Sequence, residues 1–203
     1  MTRNISLNRG MLIAGLAISL AGISGEQAAH ARNHKALRGM VSVMGEPVSN
    51  ASVTLWQTHG GATPKRIKTL RSNNDGSFDV VVQSKDGSVH YLIAAGGTAN
   101  NAEVDRLTML TVLDESVGGT VAINERTTVG SIWPNAQQLK ADQLIGSTNA
   151  LAIGSGHVRH LVDQSTSEFG ETLLNGFNLL SSETAARINV LSNLLALCGD
   201  PTK

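Results

Sequence analysis

A turn that feeds a strand, followed about twenty residues later by a second tight turn, constrains this chain more than any other feature. Gly45-Glu46-Pro47-Val48-Ser49-Asn50 leads into Ala51-Ser52-Val53-Thr54-Leu55, and Ser72-Asn73-Asn74-Asp75-Gly76-Ser77-Phe78 closes the pair. Ala51, Val53 and Leu55 alternate with Ser52 and Thr54, the period of two that turns one face of a strand toward a core. Asn74-Asp75-Gly76 reads as a hairpin turn because glycine takes the positive φ that other residues avoid. Asn73, Asn74 and Asp75 also carry oxygen ligands, but they lack the spacing and the bidentate acid of a calcium loop.

The same alternation continues from Arg38 to Asn124. Val41 with Val43, Ile67 with Leu70, Phe78 with Val80 and Val82, His90 to Ala95, Leu107 to Leu113 and Val121 to Ile123 join the Ala51–Leu55 strand, giving seven short β segments separated by Gly-, Asn- and Asp-rich turns. Such a series predicts two packed sheets over residues 38–123. The connection Gly96 to Arg106 is expected to be the most flexible loop and a recognition edge. Past Asn124 the period becomes helical. Asn124 is placed to cap a helix that Trp133-Pro134 should interrupt, a second helix is expected over Ala136–Ile145 and a third from Asn149 to Asp163. The last, capped by Ser181 or Ser182, carries Ala185, Ile188, Leu191 and Leu195 at helical spacing and stops at Gly199 and Pro201. The fold class is therefore α+β, with a β domain over 38–123, a helical segment over 124–200 and a tail at 201–203.

The N-terminus gives an address. Arg3 and Arg9 precede an uncharged run from Gly10 to Gly25, and Ala29-His30-Ala31 offers small residues at both positions a signal peptidase reads. Residues 1–31 are expected to be a secretory signal cut after Ala31, with Ala29 and Ala31 as its recognition residues and 32–37 as a flexible mature N-terminus. The run is shorter than the ~20 residues that span a bilayer. Retention as an anchor is the alternative; after cleavage no stable span is expected. Neither a twin arginine nor a cysteine near residue 31 is present, so general secretion is favoured over folded export or lipid attachment.

Removing residues 1–31 from 203 leaves 172, enough for one medium domain or two small ones. The signal takes Arg3, Arg9 and Glu26 with it, so 14 basic residues stand against 15 acidic ones. With the charges so balanced, nothing steers toward nucleic acid as a partner. Aromatic residues are 3% of the chain, so extended stacking platforms are scarce. Cys198 is the single cysteine, which rules out an intrachain disulfide and predicts a buried thiol.

Gly39-Met40-Val41, Gly45 to Leu55 and Asn73 to Phe78 together resemble the carboxypeptidase regulatory-like domain, related to B-type collagen-adhesin repeats and transthyretin-like sandwiches. The resemblance covers roughly residues 37–95 and reaches at most 124. It implies an Ig-like or prealbumin-like seven-stranded β-sandwich, a non-catalytic module of secreted and surface proteins that is sometimes grouped with carbohydrate-binding-like folds. No family catalytic residue exists to be carried over. Val121 to Val129, Val158 to Asp163 and Ile188 to Cys198 resemble a segment of bacterial exported proteins of poorly defined function. There the segment often precedes a C-terminal repeat region such as a β-propeller, so a chain ending at Lys203 is expected to lack whatever activity a propeller supplies.

Candidate site residues remain. Trp56 follows Leu55 and so falls on the face opposite Val53 and Leu55. With Tyr91 it is the best candidate for binding a sugar ring or a partner side chain, the alternative being cover beneath the helical segment. His157, His160 and Asp163 recur at three-residue spacing and could begin a divalent-metal site completed by Glu168 or Glu171; exposed histidines on a polar helix face are the simpler reading. Ser155 has glycine neighbours but no nucleophile elbow around it. No cofactor is implied. The sequence thus points to a non-catalytic secreted or periplasmic interaction or structural module whose partner is an envelope or extracellular protein or glycan of unknown identity. Carbohydrate binding by the sandwich is the first alternative, and a metal-assisted enzyme using His157 and His160 the second.

Overall fold

The computed structural model describes residues 34–83, 87–114 and 118–199. Ala29 and Ala31 lie outside them. The strands are β1 (His34–Val43), β2 (Glu46–Pro47), β3 (Ser52–His59), β4 (Lys65–Arg71), β5 (Ser77–Gln83), β6 (Ser88–Ala95), β7 (Thr98–Ala99), β8 (Ala102–Glu103), β9 (Thr108–Leu113) and β10 (Thr120–Ile123). Helix α1 (Glu125–Asn135), the strands β11 (Leu139–Lys140) and β12 (Gln143–Leu144), and helices α2 (Thr148–Leu161), α3 (Glu171–Leu174), α4 (Gly176–Ser181) and α5 (Thr184–Cys198) follow. The architecture is mixed α+β, and the described residues belong to one compact unit, Arg32–Lys203.

Alternation along each strand explains the sheets. β1 pairs antiparallel with β5 and with β2 and parallel with β10, while β4, β3, β6 and β9 form a second, antiparallel sheet in that order. Leu37, Val41 and Val43 of β1, Phe78 and Val80 of β5 and Ile123 of β10 meet Val53, Leu55, Leu92, Ala94 and Met109 of the second sheet in one buried cluster. The two turns of the opening signature sit at its rim. Gly76 has φ of 77°, and a Cβ there would lie 2.6 Å from the Val41 carbonyl oxygen, which is why the turn demands glycine.

β6 is buried on both faces, and this is where the helices enter. Leu92 and Ala94 face the inter-sheet cluster, whereas Val89, Tyr91 and Ile93 belong to a second cluster with Leu110, Val112, Leu144, Leu151, Val158 and Val162. The outer face of the second sheet is therefore covered by α2, β12 and the segment that follows α2. β4 takes the other role. Mostly exposed and carrying Lys65, Arg66, Lys68 and Arg71, it is an edge whose cations discourage pairing with another chain.

The opposite edge, β9, is closed by side chains. Its outward amides at Leu110 and Val112 donate to Thr128 Oγ1 and Ser131 Oγ of α1 at 3.1 and 3.0 Å. The next outward amide, Asp114, donates to Gln164 Oε1 at 3.2 Å, and Gln164 Nε2 donates back to the Val112 carbonyl. Three hydroxyl and amide side chains thus do the work of a missing strand.

Several expectations are corrected. Residues 34–37, expected to be flexible, are paired strand. The Gly96–Arg106 connection holds the β7–β8 hairpin, turned by Asn100 and Asn101 at φ of 49° and 62° and pinned by buried Ala99, Val104 and Leu107. α1 is capped by Asn124 as expected, yet it continues through Trp133-Pro134 to Asn135, because a proline in the last turn removes only the helical bond to the Gly130 carbonyl, and the Asn135 side-chain amide adds one to the Ser131 carbonyl at 2.8 Å. Ala136–Ile145 is no helix but the β11–β12 hairpin, anchored by buried Leu144. α5 starts from Glu183, with Ser182 Oγ accepting from the Thr184 amide just outside it. No helix among the described residues is long and apolar enough to cross a membrane.

Candidate functional site

The candidate residues of the sequence separate into two places. Trp56 and Tyr91 stack on each other, ring centroids 6.2 Å apart and planes 7° apart. They are paired neighbours on β3 and β6, and Tyr91 is fully buried in the cluster beneath the helices. A joint exposed platform is thereby excluded, and the pair glues the sheet to the helical layer. Burial pushes the Tyr91 phenol up to about 12, and its hydroxyl lies beside the Leu144 backbone without completing a hydrogen bond.

A stability prediction follows from that burial. Between pH 10 and about 12 the unfolded tyrosine ionises while the folded one keeps its proton, so stability present below pH 10 is lost as pH rises. Tyr91→Phe should remove this alkaline loss, about 2–3 kcal/mol when complete and about 1.4 kcal/mol of it already lost at pH 11, while leaving neutral stability within about 1 kcal/mol because no completed bond is lost. Urea titrations of both proteins at pH 8 and pH 11 read the difference.

His157, His160 and Asp163 lie around the end of α2. The histidine rings sit 5.7 Å apart, tilted by 57°, and His160 Nδ1 lies 2.8 Å from Thr172 Oγ1. Asp163 does not join them: α2 ends at Leu161 and Val162 is already extended. The Asp163 carboxylate instead accepts from Ser165 Oγ at 2.6 Å, the Ser165 amide at 2.8 Å and the Thr166 amide at 3.1 Å. These bonds, that from the Ser165 side chain foremost, hold it below the usual carboxylate range. Glu168 is turned to Arg126 at 3.3 Å, and that guanidinium also covers the Phe169 ring at 5.0 Å. Among the described residues no group of three His, Cys, Asp or Glu side chains comes together to hold a metal. The expected trio is corrected on that geometry: the helix stops before its third member.

Arg159, His160, Asp163, Glu171 and Thr172 border a cavity of 430 Å³ beside this turn. Two of its charges are engaged: Arg159 lies 3.6 Å from the buried Asp114 carboxylate, and Asp163 is held by the bonds described above. Ser155 donates to the Ala152 carbonyl at 3.1 Å within its own helix. Cys198, expected to be buried, is exposed, because α5 packs through Ile188, Ser192 and Leu195, and Cys198 continues the outward line of Leu191 and Leu194.

The sequence reading missed the most exposed apolar residues. Phe177 and Leu180, one turn apart on α4, are 77% and 92% exposed, and Leu174, Val190, Leu194 and Leu197 are each about half exposed. A signal for them exists: between Thr172 and Gly199 the charged residues are Glu183 and Arg187, which pair with each other at 3.0 Å.

No family model matches the chain and no curated protein matches it. Among solved structures it is similar to a 9R-lipoxygenase from Cyanothece PCC8801, with 15% identity and a TM-score of 0.31. That alignment covers 44% of this chain and 16% of the lipoxygenase, and a likeness so slight carries no argument about fold or activity.

Proposed function

We propose that this chain is a non-catalytic module, exported by its N-terminal signal, that binds a protein partner in the periplasm or outside the cell. In this reading its two sheets form an Ig-like or prealbumin-like sandwich of the carboxypeptidase regulatory-like kind, and the helical layer carries the contact. The observation that supports it is the exposure of Phe177 and Leu180 within a stretch whose two charges neutralise each other. Two large apolar side chains exposed one turn apart on a short helix are the kind of surface that a protein partner covers. α5 points the same way, being apolar around most of its circumference, which suits a helix covered on more than one side. With so little charge on offer, the partner is expected to present an apolar, neutral surface.

Affinity capture from an envelope fraction tests this with two baits, the wild type and Phe177→Ser/Leu180→Ser. Both residues are exposed, so the double variant should fold with unchanged circular dichroism. A protein enriched by the wild type and lost with the variant is the expected outcome. Identical enrichment by both baits would contradict it.

A further inference from the structure

Helix α5 carries apolar residues on two faces, and one of them is already packed. Ile188, Ser192 and Gly199 are buried and Leu195 is half-buried where the helix lies on α1 and on the inter-sheet cluster. The other face holds Val190, Leu191, Leu194 and Leu197, which are 57%, 43%, 54% and 45% exposed, with the exposed Cys198 beside them. Arg187, Val190, Leu194 and Leu197 follow one another at steps of three, four and three, the period of a seam that receives a second helix. A helix on the surface of a single domain needs one apolar stripe. The second stripe has no use within one copy.

Charge says what fits it. From Ile188 to Gly199 there is no charged residue, and the last turn holds no cation. A charged surface laid on this stretch would be desolvated without a counter-charge, so the face suits one as neutral as itself, and homodimer interfaces are the more apolar kind. The helix ends then decide the direction. The C-terminal carbonyls of a helix carry partial negative charge, and Arg187 stands on the seam near the opposite end. An antiparallel second copy brings Arg187 beside that copy's last turn. A parallel one would set Arg187 against Arg187 and align the two helix dipoles. The seam is centred between Leu191 and Leu194, so the antiparallel operation matches Leu191 with Leu194 of the second copy and Arg187 with its Cys198.

We propose that α5 pairs antiparallel with the α5 of a second copy of this chain about a twofold axis. Leu191 and Leu194 of the two copies interdigitate at the axis, Val190 and Leu197 flank them, and Arg187 of each copy faces the last turn of the other. The two Cys198 residues then lie about 16 Å apart along the helix axis, beyond the roughly 7 Å that a disulfide can bridge. This inference rests on the reading of the helical layer as a contact surface and names one occupant of it. Self-association is measured on the pure protein, so a monomer would overturn it and leave the capture experiment at Phe177 and Leu180 to be judged by its own result.

Sedimentation equilibrium on the protein purified from cells that make it should show a dimer that dissociates on dilution. Leu194→Glu, at an exposed position, should keep the circular dichroism of the wild type and weaken self-association about tenfold or more. Arg187→Ala should weaken it less. Met40→Glu, at a position 50% exposed on β1, should leave it unchanged. Orientation is read by oxidation in a Cys198→Ser background, where Leu191→Cys and Leu194→Cys chains mixed together should form a mixed disulfide, while the wild type should form none through Cys198. A monomer at every concentration would overturn the proposal, as would a dimer indifferent to Leu194→Glu, equal losses with Met40→Glu, absence of the mixed disulfide, or a ready disulfide between the two Cys198 residues.

Discussion

Gly39→Val should cost this protein about 3 kcal/mol or more, enough to leave a marginal fold largely unfolded. Gly39 stands directly opposite Phe78 in the β1–β5 register, and the phenyl ring lies flat across the space where a side chain would be. A Cβ at Gly39 would sit 1.9 Å from Phe78 Cζ and under 2.5 Å from both Cε atoms. Phe78 is 1% exposed and closes the inter-sheet cluster, so the ring has nowhere to go. The two positions form one packing unit, and a double-mutant cycle makes that visible. Phe78→Ala alone should cost about 3–5 kcal/mol. Gly39→Val/Phe78→Ala should cost much less than the sum of the singles, because the valine then occupies part of the cavity. Additive losses in urea unfolding would show that the clash is relieved elsewhere.

The second large effect is expected at Gln164. Its amide donates to the Val112 carbonyl and accepts from the Asp114 amide, and its own carbonyl accepts from the Ala122 amide at 2.7 Å. Gln164→Leu keeps the size of the side chain and removes both side-chain bonds, leaving two backbone groups of the β9 edge unpaired. The loss should be about 2–4 kcal/mol, with an unchanged denaturant slope if the edge stays covered. Gln164→Glu keeps the acceptor but sets a buried carboxylate against the Val112 carbonyl oxygen, so at neutral pH it should cost at least as much as the leucine variant. A leucine variant as stable as wild type would mean that water satisfies this edge and that the helical layer is held by apolar contacts alone.

Gln164 also shows where sequence reading stops. Val53 and Leu55, Phe78 and Val80, and Gly76 announce strands and a turn through short-range patterns, and strands lie at each of those places. Asn124 announces its helix in the same way, by a side chain that caps its own backbone. Gln164, Thr128 and Ser131 act across fifty, eighteen and nineteen residues of sequence, and nothing local distinguishes them from solvated polar residues. Trp56 and Tyr91 illustrate the converse. Alternation correctly separates Trp56 from Val53 and Leu55, but it cannot say that the opposite face is a second core, because that core is completed by Leu144, Leu151 and Val158 far along the chain. The spacing of His157, His160 and Asp163 misleads because it presumes a helix that ends two residues too early. Ala136–Ile145, expected to be a helix, is a two-stranded hairpin, a distinction that so few apolar residues cannot make.

The proposal that a protein partner covers the exposed apolar residues of α4 is tested most directly by photo-crosslinking in intact cells that make the protein. A benzophenone-bearing residue is placed at Leu180, the most exposed apolar position of that face, and in a separate protein at Lys68 on the basic β4 edge. The account predicts a discrete protein adduct from position 180 and none from position 68. No adduct at 180, or the same adduct from both positions, would contradict it.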